Sequence, residues 1–268
     1  MKSPLPHYQH SSKKNFLAGS SAGSSKSLAL GIRRARVRRI PRGFTLVEIA
    51  IAVFIIALLL GSILVPLTTQ VEQRQVSETQ KMLEDIKDAL IGHAVAKGYL
   101  PCPDLTSGAG SNDGIEDYNT VTTNCSGAIG NVPWVTLGFG ATDPWGNRFR
   151  YRVHNDYARR LPTAPQFSLS TASGLVVKAT SLGSNLTDSA VAVIISHGRN
   201  GLGAISAQTN ALNPTPSSMD ETGNYSGGPF VSRIQTPVGS TAGEFDDIVT
   251  WLGRYTLFNR MVAAGKLP

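Results

Sequence analysis

Hydrophobic and polar positions divide the chain into stretches of distinct pattern. Residues 1–32 are rich in Ser, Gly, Lys and Pro and show no sustained apolar period, which predicts no packed structure. Arg33 to Arg42 is a dense basic run, RRARVRRIPR. From Phe44 to Leu67 the sequence FTLVEIAIAVFIIALLLGSILVPL is apolar over 24 residues, with Glu48 as its one charge. At about 1.5 Å per residue, a helix of that length crosses a hydrocarbon core about 30 Å thick. Beyond Val71 the apolar positions become periodic, and Val76, Leu83, Ile86, Leu90 and Ala94 fall on one helical stripe. Glu84 and Lys87, with Lys81 and Asp85, stand at spacings suited to surface ion pairs. Gly98 is the expected stop, and Pro101 forbids continuation nearby. The pattern predicts one helix over 44–97, apolar all round in its first half and amphipathic in its second. Pro66, which lacks an N–H, should kink it.

After residue 98 the character changes. Residues 101–132 are a connection rich in Gly, Asn, Ser and Asp. Strand candidates follow at Arg148–His154, Gly174–Thr180 and Ala190–Ser196. Asp143-Pro144-Trp145-Gly146-Asn147, just before the first of them, is a strong turn signal. Residues 203–242 form another polar stretch, and Phe245–Met261 reads as a short helix. No internal repeat is apparent. The expected fold class is α+β: a long N-terminal helix packed on a small antiparallel sheet.

Charge changes this picture only at one end. The chain has 25 Lys+Arg, 18 Asp+Glu and a formal net charge of +7, which taken whole suggests a nucleic-acid or anionic-lipid partner. Ten of the basic residues and none of the acidic ones lie in residues 1–43. The other 225 residues carry 15 basic and 18 acidic side chains, so a general nucleic-acid face on them is disfavoured. Basic residues before the apolar run and none directly after it place the N-terminus in the cytoplasm and the C-terminal portion outside, with contact to membrane lipid in between. Two competing readings are a buried core helix and a secretory signal peptide. The run is long for the first, and for the second it overruns the usual h-region and lacks a small-residue cleavage site.

At the edge of the run stands Arg42-Gly43-Phe44-Thr45-Leu46-Val47-Glu48, which resembles the cleavage and methylation signature of type IV prepilins and type II secretion pseudopilins. The resemblance implies that a prepilin peptidase cuts between Gly43 and Phe44, that the Phe44 amine is methylated, and that Glu48 serves assembly. It also implies other pilin or pseudopilin subunits and an inner-membrane assembly platform as partners. On that reading residues 1–43 are a removed leader, 44–67 the transmembrane half of the helix, 68–98 its amphipathic half, and 99–268 an extracytoplasmic head. A carboxylate inside an apolar helix needs a partner, and the freed amine of a neighbouring subunit's Phe44 would supply one. The plainer alternative is that Glu48 is favoured by the helix dipole. A leader of 43 residues is longer than is usual in the family.

The head resembles the same family less specifically. Asp143-Pro144-Trp145-Gly146-Asn147 is similar to a DPWGN turn of major pseudopilins. Ser196-His197-Gly198-Arg199-Asn200-Gly201, with Phe245-Asp246-Asp247-Ile248 further on, is similar to a region that folds around calcium in those proteins. Asn200, Asp246 and Asp247 are therefore calcium candidates, set against surface-turn residues that bind nothing; no EF-hand loop is present. Cys102 and Cys125 would lie outside the membrane, in an oxidising compartment if the host is Gram-negative, and are expected to form a disulfide; two buried free thiols are the alternative. No nucleophile, zinc-protease or P-loop motif surrounds His93, His154 or His197, so no enzyme activity is expected. Three functions are compatible with this pattern: a filament subunit, a membrane-anchored binding module that does not polymerise, and a minor pilin that captures DNA through Arg148, Arg150, Arg152, Arg159 and Arg160.

Overall fold

The computed structural model describes residues 43–108, 110–160 and 165–267, without the side chains of 62–68. The chain divides into two units, residues 1–54 and 55–268. The expected leader, apart from Gly43, lies outside the described residues.

The first helix, α1, runs Leu46–Lys97. It ends where the sequence places the stop: Gly98 takes φ +86°, and its N–H reaches the Ala94 carbonyl at 2.7 Å. The predicted stripe is the buried one, since Leu83, Ile86, Leu90 and Ala94 have 1 % exposure or less. Val76, at its upstream end, is half-buried. Glu84 pairs with Lys87 on the outer face and accepts a hydrogen bond from Thr250 at 3.1 Å. Among the described residues no helix is long and apolar enough to cross a membrane.

The rest of unit 55–268 is a six-stranded sheet with short helices. Its strands are β1 (Ile129–Asn131), β2 (Arg150–Val153), β3 (Leu175–Lys178), β4 (Asn185–Ser196), β5 (Phe230–Val231) and β6 (Ile248–Gly253). Three further helices are α2 (Trp134–Leu137), α3 (Met219–Ser226) and α4 (Arg254–Ala263). The long β4 organises the sheet: β3 pairs with its first half, and β2 and β6 with its second, all antiparallel. β1 adds to β2. The expectation of an antiparallel sheet needs correction, because β5 joins β3 in parallel, Val177 opposite Phe230. A parallel neighbour needs a crossover, and the chain segment containing α3 leads into it.

The sheet has two apolar faces. Tyr151, Val153, Ala192, Ile194 and Leu252 pack on the α1 stripe, together with Leu257, Phe258 and Met261 of α4. Leu175, Val177, Val193, Ile195 and Phe230 form a second cluster. A register shift between Ala190 and Ala192 lets both Val191 and Ala192 join the first cluster before strict alternation resumes. The predicted helix at Phe245–Met261 is corrected too: its first part is β6, whose Ile248, Val249, Thr250 and Trp251 are β-formers, and α4 begins only after Gly253. The polar stretch 203–242 contains α3 and β5, which no apolar period announced.

Candidate functional site

The N-terminal motif is built by the start of α1. Gly43 and Phe44 are exposed, Phe44 by 78 %, and a Cβ added at Gly43 would meet nothing within 4 Å. The peptide bond between them is open to approach. Thr45 and Glu48 form a capping box: Glu48 N–H donates to Thr45 Oγ1 at 3.2 Å, and Thr45 N–H donates to Glu48 Oε2 at 3.4 Å. Sequence reasoning missed this pair, although T-x-x-E before an apolar run signals such a cap. In the single subunit Glu48 thus has a local task, satisfying an amide that the first helical turn leaves orphaned.

The two head motifs meet in a polar clasp. Asp143 is buried and holds its own turn, Oδ1 accepting from the N–H groups of Trp145 at 3.0 Å and Asn147 at 2.9 Å. Its Oδ2 accepts from Ser196 Oγ at 2.7 Å, at the end of β4. Gly198, at φ +59°, passes so close to the next segment that a Cβ would lie 2.2 Å from the Asp246 carbonyl oxygen. Only glycine fits there. Asp246 Oδ2 accepts from Asn200 N–H at 2.7 Å. His197 has no exposure; its Nδ1 lies 3.2 Å from Asp247 Oδ1, and Asp247 Oδ2 accepts from Asn224 Nδ2 at 2.8 Å. Between 46 and 53 positions separate Asp143 from Ser196, His197 from Asp247 and Asn200 from Asp246, yet turn, strand end and acidic pair form one unit.

Sequence reasoning missed Glu221. It sits on α3, is 1 % exposed, and its Oε1 accepts from Asp246 N–H at 3.1 Å. Glu221, Asp246 and Asp247 each offer an oxygen within 4.8 Å of the others, the geometry of a group able to hold a metal ion. Asn200, the third calcium candidate read from sequence, is not in that group; its side chain donates to Glu244 and accepts from Leu202 N–H. Burial, with the charges of Asp247, Asp246 and Glu244 added, raises Glu221 to about 7. Burial together with Asp247 and Glu244 raises Asp246 to about 6. Such carboxylates hold a proton or a cation more readily than exposed ones. Hard oxygen donors of this kind suit calcium.

Cys102 and Cys125 are joined as a disulfide, 23 positions apart, at the two ends of a loop after α1. Arg150 and Arg152 share one face of β2, as their spacing requires, but Arg150 and the preceding Arg148 are engaged in packing. Arg148 stacks on Trp134 at 3.9 Å, and Arg150 Nη2 donates to the Tyr225 carbonyl at 2.6 Å. Arg160 pairs with Glu116 and lies 3.3 Å from the Tyr118 ring centroid.

Residues 38–64 match the family described as the prokaryotic N-terminal methylation motif. The chain therefore carries the hallmark of type IV prepilins and pseudopilins, and Gly43, Phe44 and Glu48 lie inside the matched segment. No curated protein and no solved structure gives a match.

Proposed function

We propose that the chain is a structural subunit, a pseudopilin or minor pilin, of a type II secretion or type IV pilus filament. It is made as a prepilin, loses residues 1–43 to a prepilin peptidase, and is methylated at Phe44. The observation that carries this reading is the methylation motif at 38–64 ending in a helix whose first turns leave large apolar side chains exposed. Those side chains fit the lipid of an inner membrane before assembly and the helices of neighbouring subunits afterwards. The apolar sequence from Phe44 to Leu67 supports a single span with a cytoplasmic N-terminus and an extracytoplasmic head. Glu48 has two duties in this scheme. Within a subunit it caps α1; within a filament it meets the amine on the neighbour's Phe44.

The test begins with processing. Intact mass in a peptidase-positive host should show loss of residues 1–43 and one added methyl. An unprocessed chain would refute the reading. Because Gly43 is unobstructed, Gly43→Ala should be cut more slowly than wild type yet faster than a bulky replacement.

A further inference from the structure

The two ends of the head carry opposite charge. At one end lies α4, whose inner face of Leu257, Phe258 and Met261 is buried. Its outer face is open. Tyr255 is 67 % and Val262 46 % exposed, and Asn259, Arg260 and Lys266 are exposed as well. Residues 254–267 hold Arg254, Arg260 and Lys266 and no carboxylate. Arg254 donates to the Tyr255 hydroxyl at 2.8 Å, while Arg260 and Lys266 have no ion pair among the described residues. α4 sits where α1 ends: Phe258 stacks on Tyr157 with ring centroids 6.2 Å apart, and the Tyr157 carbonyl accepts from Leu100 N–H at 2.7 Å. Exposed Lys97 adds a further positive charge at the end of α1. Asp156, beside Tyr157, is shared with His154 at 3.9 Å.

Back along α1, about 30 Å from Lys97 to Val76 at the helical rise, a cleft opens between the helix and the head. It encloses about 620 Å³. Glu72, Glu244 and Asp246 line it against one cation, Arg199, which Glu72 already pairs. Arg233, the next basic residue along that wall, bonds Asp220 at 2.7 Å. Among the described residues no cation answers Glu244, whose Oε1 accepts from Asn200 Nδ2 at 3.3 Å. Asp246 Oδ1 is buried there without a hydrogen-bond partner. Val238, 77 % exposed, gives the cleft an apolar lip.

We propose that the outer face of α4 docks into this acidic cleft on a second copy of the chain, with Arg260 and Lys266 meeting the second copy's Glu244. The inference rests on the filament reading and names the head contact between successive subunits. A second copy is the occupant because both complementary surfaces belong to one chain and lie at opposite ends of its head. A surface that fits a different surface of an identical molecule makes a heterologous contact, which adds copies in one direction instead of closing a pair. Tyr255 and Val262 supply apolar area for Val76 and Val238, and the charges around them fix orientation. Glu244 lies outside the Glu221, Asp246 and Asp247 group, so its charge stays available when that group holds a cation. The contact sets register; the exposed apolar start of α1 supplies the bulk of the association.

The test uses the full chain in a host with matching assembly machinery. With Val262 replaced by the photoreactive benzoylphenylalanine, irradiated filaments should yield covalent dimers, and peptide mapping should place the second attachment within residues 235–246. Arg260→Glu with Lys266→Glu should lower the yield of dimers and of sheared filaments about tenfold, because like charges then face each other. Adding Glu244→Arg rebuilds the pair with its signs exchanged and should restore most of that yield. Restoration also shows that the reversed chain folds and inserts. A wild-type chain that is processed yet forms no filaments refutes the filament reading, and this contact with it. Three results overturn the contact alone: unchanged filament yield in the Arg260 and Lys266 variant, cross-links to lipid, another protein or a different face of the second copy, and no restoration by Glu244→Arg.

Discussion

From Phe44 to Leu60 the large apolar side chains are at least half exposed, Leu46 by 91 %, whereas Tyr151, Ile194 and Leu252 of the sheet have no exposure at all. The helix start is held by its own backbone ladder and one capping box, while the head is held by burial against α1 and by a polar clasp between distant segments. A segment that satisfies its amides internally and leaves its apolar surface open needs a lipid or protein environment to complete it. A head that buries its own core does not. The difference teaches where sensitivity to mutation should lie. Substitutions near Phe44 should affect incorporation into an assembly without unfolding the subunit, and substitutions in the clasp should do the reverse.

The sharpest way to break that division is at Glu48. Glu48→Ala removes the carboxylate half of the capping box together with the charge and should abolish or severely reduce incorporation into filaments, read by shearing and quantifying surface filaments. Leader cleavage and the melting of the head should stay as in wild type. Glu48→Gln keeps an oxygen for Thr45 N–H and removes only the charge. If Gln assembles like wild type, the cap is what matters and the charge pairing with Phe44 is wrong; loss equal to that of Ala supports the pairing.

The head should respond in stability instead. Replacing Cys102 or Cys125 with Ala releases a loop whose ends are 23 positions apart, with an expected loss of about 3 kcal/mol in urea unfolding. Reductant should reproduce that loss in wild type and add nothing to the variants. Asp143→Ala leaves three donors without their acceptor, the amides of Trp145 and Asn147 and the Ser196 hydroxyl. A loss of about 2–3 kcal/mol is expected. A head that melts like wild type would mean that the turn is held by its backbone alone.

The smallest effect should be on pH dependence. Glu221 at about 7 and Asp246 at about 6 are raised in the folded protein above their ordinary values. The folded state therefore binds more protons than the unfolded one between about pH 4.5 and 7. By linkage these groups make the cation-free protein more stable as pH falls through that window and less stable as it rises. Melting in chelator at pH 5 and pH 7.5 measures the slope, and Glu221→Gln should flatten it. A slope of opposite sign would mean that other groups dominate.

Much of the molecule was written locally. A glycine stops α1 at Lys97, the stripe from Leu83 to Ala94 is the buried one, and Asp143 to Asn147 turns where proline and glycine direct it. Residues Gly43 to Glu48 are legible because the methylation motif is read from consecutive side chains. The misreadings share a cause. α3 contains Gly223 and has weak helix propensity; it stands because Asn224 bonds Val231 and Asp247 and because Asp220 pairs with Arg233. The run after Phe245 holds residues that suit strand or helix, and its pairing with β4 chooses strand up to Gly253.

The sequence by itself determined the helix, its methylation motif, the turn at Asp143, and the periods of the first strands, because each depends on residues within a few positions of one another. Only the tertiary structure decided that β5 lies parallel to β3, that Glu221 joins Asp246 and Asp247, and that Asp104 is buried. Those arrangements rest on burial and on hydrogen bonds between segments far apart in the chain. Their partners are chosen by how the sheet closes on α1, and no local periodicity records that choice.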